Sequence, residues 1–167
     1  MVDLIDELKA FLFVAKRSTF AGKAKKSFTN LGGKEFIYQD GDWSYRDCYF
    51  GSLKDIGQEI VWYKNSPLWG MNYFGGIKQN IVLSYNKEIK TIFDFLKDAL
   101  LNLPYEFPVR GPPLFKRFSL TYVNIWSGDI TEFAGQEYIF RGDQIVYRKT
   151  YHGGIIHHEC WKRLNGK

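Results

Sequence analysis

Between Gly57 and Gly76 the chain reads GQEIVWYKNSPLWGMNYFGG, two aromatic-rich runs around an Asn65-Ser66-Pro67 turn. Matched apolar runs on either side of a short Asn/Ser/Pro break specify an antiparallel β-hairpin. This hairpin holds more aromatic surface than one sheet face needs, with a carboxylate (Glu59) and a carboxamide (Asn72) set into it. A core with a cavity is the expected consequence.

Pairing arithmetic sharpens the expectation. With Asn65-Ser66 as a two-residue turn, Trp62 faces Trp69, Ile60 faces Met71 and Glu59 faces Asn72, and facing residues share a side of the sheet. Glu59 with Asn72 is then a polar pair among apolar neighbours, beside the space left by Gly70. One reading is the polar floor of a pocket; the other is a satisfied or solvent-facing pair. A turn of different length would reverse the facing sets, because side chains alternate with period two.

Similar punctuation runs through the chain. Gln39-Asp-Gly-Asp42 separates Glu35–Tyr38 from Trp43–Phe50, and Asp-Gly is a hairpin signal. Ser127-Gly128, Gly142-Asp143 and Gly153-Gly154 divide the C-terminal third into runs at 117–126, 130–140, 144–151 and 155–162. Two segments have helical spacing instead. Leu4, Ile5, Leu8, Phe11, Leu12 and Ala15 predict a helix over about 3–16. Ile89, Ile92, Phe93, Leu96, Leu100 and Leu103 predict a second over about 86–103, ended by Pro104. The expected fold class is α+β: a curved, mostly antiparallel sheet of about eight strands in sequential hairpins, the second helix on its concave face. The 167 residues fit one domain, 1–167, with no linker or repeat.

In the C-terminal meander the same arithmetic places Arg148 between Glu137 and Glu159, with His152 and His157 further along that face. The simplest reading is a solvated cross-strand ion row; the alternative is an anchored acid/base or ligand-binding cluster. His152, His157, His158, Glu159 and Cys160 are all metal-ligand types, but no CxxC or HExxH spacing joins them, and no metal and no cofactor is expected. G-x-S-x-G and P-loop motifs are absent from the sequence.

A formal net charge of +5 favours anionic partners mildly. The basic segment 16–34, with Lys23, Lys25 and Lys26 at its centre, reads as a loop capable of weak, non-specific contact with nucleic acid. The acidic, amphipathic start is unlike a signal peptide, no apolar run reaches the roughly 18 residues of a membrane span, and Cys48 and Cys160 are too few to argue an oxidising compartment. A soluble cytoplasmic protein with no membrane partner is expected.

The residues also carry a resemblance. Phe11-Leu-Phe-Val-Ala-Lys16, Thr19-Phe-Ala-Gly22, Tyr38-x-Asp-Gly-Asp42, Tyr45-x-Asp47 and Gly51 form its first part. Gly57-x-Glu-x-Val-Trp62, Pro67-x-Trp69-x-Met-Asn-Tyr73 and Gly75 form its second. Phe95-Leu-x-x-Ala-Leu100, Arg110-Gly-Pro112, Phe133-x-Gly-x-Glu137, Tyr147 and Tyr151-His-Gly-Gly154 complete it. The chain resembles the bacterial and archaeal domain-of-unknown-function family 5680 over nearly its whole length. The resemblance implies that some relatives carry this domain behind a helix-turn-helix segment in transcriptional regulators, a segment that the first helix alone cannot supply. It implies a sensing or interaction domain and assigns no catalytic residues.

The leading expectation is a non-enzymatic small-molecule or effector-binding module with its cavity between the second helix and the sheet. Trp62, Trp69, Tyr73 and Phe93 would wall it, and Glu59, Asn72 and Arg110 would orient the ligand. An enzyme using Glu59, or the His152/His157/Glu159 group, as general acid or base is the alternative from another class. A protein-interaction domain, homodimeric through a sheet edge, is the third.

Overall fold

A computed structural model describes residues 4–19, 25–78 and 86–157. Helix α1 (Leu4–Ser18) leads into β1 (Ser27–Phe28), β2 (Lys34–Asp40), β3 (Trp43–Gly51), β4 (Lys54–Tyr63) and β5 (Ser66–Ile77). Helix α2 (Asn86–Leu101) follows, then β6 (Leu114–Arg117), β7 (Leu120–Asp129), β8 (Glu132–Arg141) and β9 (Gln144–Ile155). The nine strands make one antiparallel sheet in the order β1-β2-β3-β4-β5-β9-β8-β7-β6. The fold is α+β, as the patterning predicts. The strands run as sequential hairpins in two meanders, which are joined by β5 against β9, strands far apart in sequence.

Period-two alternation decides the rest. Tyr45, Asp47, Glu59, Val61, Trp69, Met71, Tyr73, Glu137, Tyr147 and Tyr151 are buried on one face. Both helices cover that face. Leu8, Phe11, Leu12 and Ala15 of α1 pack with Tyr45, Val61, Trp69 and Phe133. Ile92, Phe95, Leu96 and Ala99 of α2 pack with Tyr122, Ile139, Val146 and Tyr147. The apolar stripe of each helix supplies the area that holds it there. Among the described residues, no helix is long and apolar enough to cross a membrane.

Two local irregularities set the register. The hairpin turn lies at Lys64-Asn65, with φ of 49° and 63°, rather than at Asn65-Ser66. Positive φ at both central residues gives the hand of turn that matches strand twist. Tyr63 then faces Ser66 and Trp62 faces Pro67, before a bulge resets the pairing to Val61 with Trp69. Pro67 lacks the N–H that a regular ladder would use. The expected pairs Trp62–Trp69, Ile60–Met71 and Glu59–Asn72 are all replaced: Glu59 faces Met71, Ile60 faces Gly70, and Asn72 faces Gln58. A second bulge lies at Ile139/Phe140, so Glu137 faces Lys149 and Arg148 faces Tyr138. Gly153-Gly154 is no turn; both residues lie inside β9, which runs unbroken to Ile155. Ser127-Gly128 likewise lies within β7.

Candidate functional site

A cavity of about 260 Å³ opens between α1, α2, the connector after α2 and the concave face of the sheet. The helices approach each other at their C-terminal ends, where Arg17 Nη1 donates to the Leu101 carbonyl at 2.6 Å, and the space between their two apolar clusters is lined with polar groups. Its floor comes from three adjacent strands: Tyr45, Asp47 and Tyr49 of β3, Glu59 of β4 and Tyr73 of β5. Lys16 and Thr19 enter from α1, Phe93 and Leu96 from α2, Arg110 from the connector and Lys149 from β9.

Asp47 and Glu59 are paired residues of neighbouring strands and share the inner face. Both are buried. Tyr73 Oη donates to Asp47 Oδ1 at 2.6 Å. Burial and the facing Glu59 carboxylate push Asp47 up to about 7, against the opposing effect of the Tyr73 bond. The same burial and charges raise the Tyr73 and Tyr45 phenols far above their ordinary range, so both stay protonated donors. Glu59 is in close ionic contact with Lys16 and is hydrogen-bonded by Tyr45. Lys16 Nζ also donates to the Val109 carbonyl at 2.7 Å, tying α1 to the connector. Burial lowers the Lys16 ammonium, outweighing the attraction of Glu59.

Two further ion pairs flank this centre. Lys149 Nζ donates to Asp55 Oδ1 at 2.6 Å and sits 4.5 Å from the centre of the Tyr73 ring. Arg110 forks onto the wholly buried Glu137, Nε to Oε2 at 3.0 Å and Nη2 to Oε1 at 2.5 Å. Tyr122 and Tyr147 donate to the same carboxylate at 2.7 and 3.0 Å. Burial alone would raise Glu137 and lower Arg110; their mutual attraction wins in both, lowering the acid and raising the base.

The expected site residues separate accordingly. Glu59, Tyr73, Phe93 and Arg110 line the cavity. Trp69 is wholly buried beside it in the core, donating its indole N–H to the Ile130 carbonyl at 3.0 Å. Trp62 and Asn72 lie on the outer face, displaced there by the turn and bulge; Asn72 accepts from Gln58 at 3.1 Å. The row around Arg148 is not assembled. Glu137 is on the inner face, while Arg148 is exposed over the Tyr138 ring and donates to Gln136. His152 is exposed opposite Asn72, lining a second hollow of about 790 Å³ on the outer face. His157 lies just beyond β9, and Glu159, His158 and Cys160 lie outside the described residues. Of the basic segment, Lys16 belongs to α1, Lys25 and Lys26 are exposed, and Lys23 lies outside the described residues. Among the described residues, no cluster of three His, Cys, Asp or Glu could hold a metal ion.

Asp47, Lys16, Tyr45, Asp55 and Lys149 are the site residues that pattern reading misses. A signal exists for two of them. Asp47 alternates with Tyr45 and Tyr49 on β3, an acid placed on an aromatic face. Lys16 falls four residues after Leu12, on the buried stripe of α1.

The sequence profile of DUF5680, a domain of unknown function, matches residues 47–156. The chain belongs to this family. Neither the curated proteins nor the solved structures yield a match. The matched span of this DUF5680 member begins at Asp47 and takes in Asp55, Glu59, Tyr73, Arg110, Glu137 and Lys149, but not Lys16.

Proposed function

We propose that this chain is a non-enzymatic small-molecule or effector-binding module and that the cavity between the helices and the sheet is its binding site. One observation carries the reading: the facing carboxylates of Asp47 and Glu59 are built into a cavity wall, held by Tyr73, Tyr45 and Lys16. Buried ionisable groups are costly, and chains retain them where they serve a purpose other than stability. Binding is favoured over catalysis because Glu59, Arg110 and Lys149 are each locked into a pair, which suits fixed recognition. A cytoplasmic, regulator-associated setting accords with the sparse cysteines and with the regulator context that the family resemblance implies for some relatives.

Native mass spectrometry of freshly purified protein tests this. A small-molecule adduct that is lost on denaturation, and that protects amides of β3–β5 from exchange, is the expected result. Absence of any adduct, with no compound of a diverse metabolite set raising the melting temperature, would remove the reading.

Two observations favour other readings. Asp47 titrates near neutrality beside a second carboxylate, as a general acid or base would; turnover lost in Asp47→Asn would support an enzyme. On the outer face Phe50, Ile56 and Phe74 are exposed and paired in register across β3, β4 and β5. Concentration-dependent dimerisation abolished by Phe74→Ser would support an interaction domain.

A further inference from the structure

Around the cavity the charges withdrawn from solvent do not balance. Asp47, Asp55, Glu59 and Glu137 supply four carboxylates; Lys16, Arg110 and Lys149 supply three cations. Each cation is committed to one acid: Lys16 to Glu59, Arg110 to Glu137 and Lys149 to Asp55. The carboxylate left over is Asp47, which is 5% exposed and lines the cavity. Among the described residues, no cation forms an ion pair with Asp47, and its hydrogen bond comes from the neutral Tyr73 hydroxyl. Lys34 of β2 and Lys97 of α2 also border the cavity, Lys34 donating to the Gly51 carbonyl at 2.5 Å and Lys97 being exposed.

An unbalanced charge in a low-dielectric wall is destabilising unless something neutralises it. A proton can do so, which accords with the raised titration point of Asp47. A bound cation would do the same while keeping the carboxylate ionised. The surroundings suit an organic cation better than a hydrated metal ion. Tyr45 and Tyr49 flank Asp47 on its own strand, giving the aromatic walls over which ammonium groups bind, and Phe93 and Leu96 offer apolar surface opposite.

We propose that the cavity selects a compact organic monocation, a primary or substituted amine or an amidine, whose charged head pairs with Asp47 and whose apolar body lies against Phe93 and Leu96. The inference rests on the cavity being the binding site. The groups facing Asp47 set its pH signature: Glu59 from β4, Tyr73 from β5, Lys16 from α1 and Arg110 from the connector. Lys16 and Arg110 are each paired with an acid, so the buried charge nearest the head group is net negative, while the further cavity-lining cations Lys34 and Lys97 are half-buried and exposed, respectively. Binding should tighten as pH rises through about 7, where Asp47 gives up its proton.

Benzylammonium, benzyl alcohol and benzoate share one ring and differ in charge, and titrating each at pH 8 by calorimetry and amide NMR tests the assignment. Benzylammonium should bind at least tenfold more tightly than benzyl alcohol, benzoate more weakly still, with shifts centred on β3–β5. In Asp47→Asn, verified as folded by circular dichroism, the preference for the amine over the alcohol should fall below twofold. Equal or tighter binding of benzoate, or an amine preference that survives Asp47→Asn, overturns the charge class but leaves the cavity as a site. If none of the three binds, native mass spectrometry of the freshly purified protein decides. A co-purified amine supports the proposal, a co-purified neutral or anionic compound overturns the class alone, and no adduct overturns both the class and the site.

Discussion

Asp47 of β3 stands directly opposite Glu59 of β4, both side chains buried on the inner face, with Lys16 serving one and, among the described residues, no cation serving the other. This asymmetry gives a pH dependence whose sign can be worked out. A carboxyl with a folded-state pKa above its unfolded value, near 4, keeps its proton longer in the folded protein. The folded state is then favoured at low pH, and that advantage is lost as pH rises through the folded value of about 7. A carboxyl that titrates so far above its unfolded value loses at most roughly 4 kcal/mol of stability across that interval. Asp47→Asn keeps the acceptor for Tyr73 and removes the titration. Its urea midpoint should exceed that of the wild type at pH 8 and match it near pH 4.5. Parallel stability curves for the two proteins across this range would show that Asp47 titrates normally.

The Lys16–Glu59 contact predicts non-additive mutations. Removing one partner of a buried pair leaves the other uncompensated and costs about 3–5 kcal/mol. Glu59→Leu should therefore destabilise the protein, contrary to what an acid without a cation partner would suggest. Lys16→Met combined with Glu59→Leu should recover much of the loss. A double-mutant cycle in urea with a coupling below about 0.5 kcal/mol would show that the two do not act as a pair.

Trp69 and Trp62 should differ sharply. Trp69 is fully buried and its indole N–H is bonded to Ile130, so Trp69→Ala should cost about 3–5 kcal/mol. Trp62 is half-buried on the outer face opposite Pro67, and Trp62→Ala should cost clearly less. Equal losses of melting temperature would contradict the register with its bulge.

Gly57 lies under the ring of Tyr73; a methyl group there would stand 2.4 Å from Tyr73 Cζ and 2.7 Å from Tyr49 Cβ. Gly57→Ala should cost about 1–3 kcal/mol through overpacking and should move the Tyr73 hydroxyl away from Asp47. Tyr73→Leu in the same chain should relieve part of that cost. A variant that keeps both wild-type stability and the wild-type pH profile would mean that the ring does not need this close approach.

Much of this architecture is local and therefore legible in the sequence. Helical spacing in Leu4–Ala15 and Ile89–Leu103 names both helices, because a 3.6-residue period needs no distant partner. The Asp-Gly and Gly-Asp dipeptides name two hairpins, because a tight turn is set by its own few residues. Glu59 is conspicuous as an acid in an apolar strand. Which residue it meets is another matter. One turn residue and one bulge beside Pro67 slide β5 past β4, trading Asn72 for Met71 opposite Glu59 and sending Trp62 outward. A period-two element turns any single-residue slip into an exchange of faces. Nothing local announces that β5 pairs with β9, that α1 delivers Lys16 to Glu59, or that Glu137 meets Arg110 instead of Arg148. Those contacts join residues tens of positions apart. Alternation fixes which side chains share a strand face, whereas the docking of two helices on one sheet decides which charges are paired there and, among the described residues, leaves Asp47 without a counter-ion.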